Sequence, residues 1–157
     1  EGVVKAMTIF PLLRLAGFYH PPIRFRIEEG IGEIVIDDEE TRITGRFDLV
    51  AVDFVQRTCV GTPFWILVVE AKEGSFSPWV GLPQLLTYAY QSLQTQAAVW
   101  GLVATGSLYQ FVYLEAGLEA GETPVYRLMP LLNLFETAET DRLLQVLKAI
   151  RRSEYAA

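Results

Sequence analysis

Glu70 and Lys72 close an apolar run, Phe64-Trp65-Ile66-Leu67-Val68-Val69-Glu70-Ala71-Lys72, in a chain with three lysines. On a strand, residues two apart leave the same face about 6.5–7 Å from one another, so this acid and this amine stand side by side at the rim of a sheet. Six consecutive apolar residues before Glu70 imply a strand covered on both faces. Charges there require a partner, either a metal ion with a phosphate or simply each other, as a rim ion pair worth about 0–1 kcal/mol. Upstream, Gly45-Arg46-Phe47-Asp48 places an aspartate just before the apolar Leu49-Val50-Ala51-Val52, at the mouth of a neighbouring strand. If the two strand ends converge, Asp48 and Glu70, with the Ala71 carbonyl as a third oxygen, suit Mg²⁺, which keeps several waters and takes one or two carboxylates. The Lys72 ammonium would orient and help deprotonate a metal-bound water and offset charge on a pentavalent phosphorus. That set describes hydrolysis of a phosphodiester.

Composition narrows the alternatives. With 157 residues, 51% of them hydrophobic and 20% charged, the chain suits one domain, 1–157, with a real core. No apolar run reaches the ~18–20 residues of a membrane span, and the first residues lack a basic-then-apolar leader, so a cytoplasmic location away from membranes is expected. One cysteine, Cys59, and one histidine, His20, exclude an internal disulfide and cysteine-based zinc, leaving metal chemistry to oxygen ligands. The net charge of −6 argues against a broad basic face for nucleic acid. Seven of the nineteen acids, however, lie in Asp37-Asp38-Glu39-Glu40 and at Glu115, Glu119 and Glu122, which leaves twelve against thirteen basic residues and room for a local basic strip.

The elements that must position these groups follow from periodicity. Val3, Ala6, Met7, Phe10 and Leu13 have helical spacing, with Pro11 as a kink and Gly17 as a stop. Strand patterns cover Ile23 to Glu28, Ile34 to Ile36 and Arg42 to Phe54, and the Glu70 strand follows the Gly61-Thr62-Pro63 turn. Ser75-Phe76-Ser77-Pro78 opens a helix from about Trp79 to Gln96, with Leu82, Leu85, Leu86, Ala89 and Leu93 inward. Ala98 to Ala104 and Tyr109 to Leu114 read as strands joined through Thr105-Gly106-Ser107. Glu139 to Arg152 reads as a closing helix with Leu143, Leu144, Val146, Leu147 and Ile150 buried. The class is α/β, a central mixed sheet flanked by helices.

Asp48, Glu70-Ala71-Lys72 and Gln84-Leu85-Leu86-Thr87-Tyr88, in that order, resemble the PD-(D/E)XK nuclease superfamily of restriction-endonuclease-like fold. The likeness extends to Glu1 followed by Pro11-Leu12-Leu13 and Ala16-Gly17, to Gly45-Arg46-Phe47-Asp48, and to Gly101-Leu102-Val103-Ala104-Thr105-Gly106 leading to Phe111. Across roughly residues 1 to 115 it is similar to the N-terminal nuclease domain of type I restriction-enzyme motor subunits. The resemblance implies a Mg²⁺-dependent endonuclease or exonuclease acting on DNA, with Mn²⁺ as a substitute metal and a homodimer among the expected assemblies. Asp48 and Glu70 would ligate the metal, Lys72 would be the catalytic lysine, and Gln84 and Tyr88, four residues apart on one helical face, would point at the site. Glu1 matches the acid of the first helix that helps hold metal, with Glu28 as a rival for that part. The pattern's proline before the aspartate is Phe47 here.

Parity adds one expectation. Arg42, Thr44, Arg46 and Asp48 share a face if their strand is regular, so Arg42 and Arg46 would contact phosphate, with Arg24 and Arg26 in a parallel row. The competing reading of these arginines is a solvated face that discourages edge pairing. Trp79 is expected to pack the start of its helix, Trp65 and Trp100 to lie in the core, and His20 to end the first helix. A nuclease-shaped module that binds nucleic acid or a protein without cutting is the chief alternative. A two-carboxylate glycosidase leaves Lys72 and Gln84 unexplained.

Overall fold

The computed structural model describes residues 1–31, 34–36, 41–73, 77–117 and 122–153. The chain opens with a continuous helical segment of three parts: α1 (Gly2–Val4), a π-helical turn (Lys5–Ile9) and α2 (Phe10–Leu15). There follow strands β1 (Ile23–Ile27), β2 (Ile34–Ile36), β3 (Thr41–Ile43), β4 (Leu49–Arg57) and β5 (Pro63–Ala71). A 3₁₀ turn (Pro78–Val80) leads into helix α3 (Leu82–Ser92). Beyond it lie β6 (Ala98–Ala104), β7 (Leu108–Glu115), β8 (Val125–Leu128), β9 (Leu132–Asn133) and helix α4 (Thr137–Ser153).

Seven of these strands form one sheet, ordered β1-β4-β5-β6-β7-β8 with β9 also on β7, while β2 and β3 pair separately. Only β5 and β6 run parallel, and α3 makes the crossover that such a pair requires. The architecture is mixed α/β with a mostly antiparallel sheet. One face is covered by Ile9, Leu12 and Leu13 of the opening helix and by Leu143, Leu147 and Ile150 of α4; the other is covered by Leu82, Leu85, Tyr88 and Ala89 of α3. Burial on both sides accounts for the unbroken apolar run in β5. None of the described helices is long and apolar enough to cross a membrane.

A bulge sets which face the end of β5 presents. Pairing steps from Ala51↔Leu67 to Val52↔Trp65, so Ile66 is an extra residue with no partner on β4. Before it, Phe64 packs with the opening helix and Trp65 with α3; after it, Leu67, Val69 and Ala71 face the opening helix and Val68 faces α3. Glu70 and Lys72 keep the phase of Val68 and therefore reach the α3 side. Gln96 holds the irregular stretch, its Oε1 accepting from the Trp65 N–H at 2.9 Å and its Nε2 donating to the Trp65 carbonyl at 2.8 Å.

Several expectations need correction. The buried face of the first helix is Lys5, Ile9, Leu12, Leu13 and Ala16, while Val3, Ala6 and Met7 face solvent. The strand expected from Arg42 to Phe54 is broken: β3 ends at Ile43, Arg46 makes an isolated bridge with Gly30, and β4 begins at Leu49. Arg42, Thr44, Arg46 and Asp48 therefore do not share a regular strand face. Trp79 is exposed and does not pack the helix start, and the helix itself begins at Leu82 and stops at Ser92. Asp37 to Glu40, Ser75-Phe76, Glu119 and the side chain of Arg42 lie outside the described residues.

Candidate active site

Strand register gathers the end of β1, the start of β4 and the ends of β5 and β6 at one edge of the sheet, through the pairs Ile27↔Leu49, Leu49↔Val69 and Ala71↔Ala104. There the Asp48 carboxylate turns toward the Glu70-Lys72 segment, its Oδ2 accepting from the Ala71 N–H at 2.8 Å. A residue's N–H and C=O leave an extended strand on the same side, so the Ala71 carbonyl faces Asp48 as well. Glu70 is 1% exposed. Its Oε1 accepts from Lys72 Nζ at 2.8 Å, while its Oε2 is buried with no hydrogen-bond partner.

Lys72 is held from three sides. Besides Glu70, its ammonium donates to Gln84 Oε1 at 2.8 Å and lies 3.8 Å from Glu1 Oε1. Since a lysine only donates, it fixes the Gln84 amide, whose Nε2 then donates to the Tyr88 hydroxyl at 2.9 Å. Gln84 and Tyr88 thus do face the site, as a relay that positions Lys72, and Tyr88 is also part of the core. Two glycines let backbone approach this network. A Cβ on Gly45 would fall 2.6 Å from the Tyr88 hydroxyl, and one on Gly81 would fall 2.8 Å from Val103 Cγ1, 3.2 Å from Lys72 Cγ and 3.4 Å from Glu70 Cγ.

The electrostatics are uneven. Burial is the largest influence on Glu70, and with the nearby charges of Asp48 and Glu1 it outweighs Lys72 and pushes the carboxyl up to about 7. Burial alone would lower Lys72, but the hydrogen bond and charge of Glu70, with Glu1 and Asp48, leave it raised. Lys72 is therefore held as an ammonium, a donor and a positive charge beside Glu70.

The sequence reading missed Lys5. Its ammonium donates to Asp48 Oδ1 at 3.1 Å and to Glu28 Oε1 at 2.9 Å, and the residue is buried inside the π-helical turn. Burial disfavours its charge, yet the bonds to Glu28 and Asp48 leave it raised, while Lys5 in turn holds the exposed Glu28 carboxyl below its ordinary value. Glu28 has a left-handed backbone, φ 51°, and its N–H donates to the Asp48 carbonyl at 3.2 Å. A detectable signal was present: Lys5, Ile9, Leu12, Leu13 and Ala16 have the i, i+4, i+7, i+8, i+11 spacing of one face. Arg24 and Arg26 share a face of β1, but Arg42 and Arg46 do not continue it as a strand stripe. Arg24 lies over the Phe54 ring at 4.8 Å, Arg26 pairs with Glu29, and Arg46 is exposed near enough to Glu28 to help lower its carboxyl.

Among the described residues no group of three or more His, Cys, Asp or Glu side chains is arranged to hold a metal ion. Mg²⁺ needs fewer carboxylates, and its hard-oxygen demand is met by Asp48, Glu70 and the Ala71 carbonyl, with Glu1 alongside through Lys72. The buried, partnerless Oε2 of Glu70 is an oxygen that a cation would satisfy. The residues present thus fit such an ion. No protein-family model matches the chain, and no curated protein sequence matches it.

Proposed function

We propose that the chain is a Mg²⁺-dependent nuclease of restriction-endonuclease-like fold that hydrolyses phosphodiester bonds in DNA. The observation that carries this reading is that Asp48, just before β4, bonds the Ala71 N–H between Glu70 and Lys72 at the end of β5, where Glu70 keeps one buried carboxyl oxygen without a partner. An inert fold has little reason to bury a carboxyl oxygen that no donor reaches. Asp48, Glu70 and the Ala71 carbonyl would hold the ion, which when bound supplies Lewis acidity and an acidified water. Lys72 donates to the attacking oxygen and offsets charge building on the phosphate. Gln84 and Tyr88 keep its ammonium in place, and Glu1 adds a further oxygen beside it. Exposed Arg46, close enough to Glu28 to help lower its carboxyl, would contact phosphate.

A second reading, a nuclease-shaped module that binds without cutting, is favoured by Lys5, which already supplies a positive charge to Asp48 Oδ1, and by the net charge of −6. One experiment separates the two. Purified protein is incubated with linear, circular and single-stranded DNA and with RNA, with Mg²⁺ or with a chelator, beside Asp48→Asn and Lys72→Ala. Metal-dependent cutting lost in both variants supports the nuclease; cutting that persists in both, or binding without cutting under every condition, removes it.

A further inference from the structure

Lys5 and Lys72 both place an ammonium against the acids of the site, but they are held differently. Lys72 is tied to a neutral amide, Gln84 Oε1, as well as to acids, so it keeps a partner when charge in the site changes. Among the described residues, the side-chain partners of Lys5 are two acids, Asp48 and Glu28. These two differ in turn: the Asp48 side chain is 16% exposed and bonded to the Ala71 N–H, whereas that of Glu28 is 64% exposed. Two uncommon backbone features converge on the triad. Lys5 begins a π-helical turn, and Glu28 has a left-handed conformation that a non-glycine residue rarely adopts, features that tend to mark functional segments.

We infer that Lys5 is the resting counter-ion of Asp48 and a latch on the metal site: a divalent cation enters by displacing its ammonium from Asp48 Oδ1, and Lys5 then remains on Glu28. The inference rests on the metal-dependent reading above and assigns Lys5 a positioning role that the pattern of acids and lysine does not contain. The direction follows from charge. A dication arriving at Asp48 meets an ammonium 3.1 Å from Oδ1 and is repelled by it, while Glu28 offers that ammonium a wetter alternative only 2.9 Å away. Lys72 needs no such exit, because Gln84 Oε1 stays its partner whatever happens to the charge of Glu70. The latch thus tunes metal affinity downward without removing a ligand.

Three lysines make the test direct. In full-length protein carrying ¹⁵N-lysine, the Lys5 ammonium signal is shielded from solvent exchange by its two carboxylates. Titration with MgCl₂ should cost it that shielding in step with saturation, while the Lys72 ammonium stays protected. Calorimetry on Lys5→Met, which stands in for the alkyl stem of the side chain and removes its charge, should show Mg²⁺ binding about tenfold tighter, with Lys148→Met unchanged as a control. Mg²⁺ binding that leaves the Lys5 signal intact, or a Lys5→Met affinity equal to or weaker than wild type, overturns the latch while the metal site stands. Failure of both wild type and Lys5→Met to bind Mg²⁺ overturns the metal reading and the latch together. If Lys5→Met does not fold, the wild-type titration alone decides.

Discussion

Replacing Glu70 by Gln should make the protein more stable, by an amount that grows as pH rises from about 5 and levels off above about 7. The Glu70 carboxyl is raised from 4.5 to about 7, chiefly by burial. Between these values the native protein binds the proton that the unfolded chain has released, so stability falls as pH rises through this window. At about 1.4 kcal/mol per pH unit, the wild type carries a penalty of about 3 kcal/mol once Glu70 ionises in both states. From pH 5 to pH 8 the change is about 2.5 kcal/mol. The attraction of Lys72 is already contained in the raised value, and in the variant Lys72 keeps Gln84 and Glu1. Urea unfolding of both proteins in EDTA at pH 5, 6, 7 and 8 measures the difference directly, and thermal melts should separate by a further ~5–10 °C over that range. A stability difference that stays constant from pH 5 to pH 8, or that turns toward the wild type at high pH, would refute the claim that Glu70 is a buried carboxyl held near neutrality.

Four more outcomes follow from the same contacts. Divalent metal must expel the Glu70 proton, so calorimetric Mg²⁺ affinity should climb with pH up to about 7 and level off above it. Lys72→Ala should lower cleavage by about 10²–10⁴-fold with circular dichroism unchanged, because it removes a donor to the reacting centre rather than a core side chain. Gly45→Ala should cost about 1–3 kcal/mol in urea unfolding, since its Cβ would sit 2.6 Å from the Tyr88 hydroxyl, and most of that cost should vanish in a Tyr88→Ala background. Gln96→Ala should cost about 2–3 kcal/mol, because the Trp65 N–H and carbonyl both lose their partner.

How much of this could be read from the residues differs by element. Glu70 and Lys72 were legible because an apolar strand that ends in two charges leaves little else for its rim to be. Their face was not, because the extra residue at Ile66 is invisible to period-two counting. The Asp48 contact followed from the strand order, but the arginine alignment failed where β3 stops at Ile43 and the chain bends through Gly45. The first helix was legible, and Phe10 and Leu13 do pack inward, but its N-terminal turns face the other way, since a search for apolar residues skips a lysine even when it lies on the buried face. The short strands β8 and β9 carry too few residues to show a period. Lys5 was overlooked for a different reason: its partners, Glu28 and Asp48, lie 23 and 43 residues away, and only the fold brings them together.

The central claim is that two carboxylates from separate strands share one divalent ion. A crystal grown in or soaked with Mn²⁺ and measured at the manganese absorption edge tests it most directly. The account predicts one anomalous peak in coordinating contact with Asp48, Glu70 and the Ala71 carbonyl, absent in Asp48→Asn. A peak away from Asp48 and Glu70, or none at saturating Mn²⁺, would contradict it.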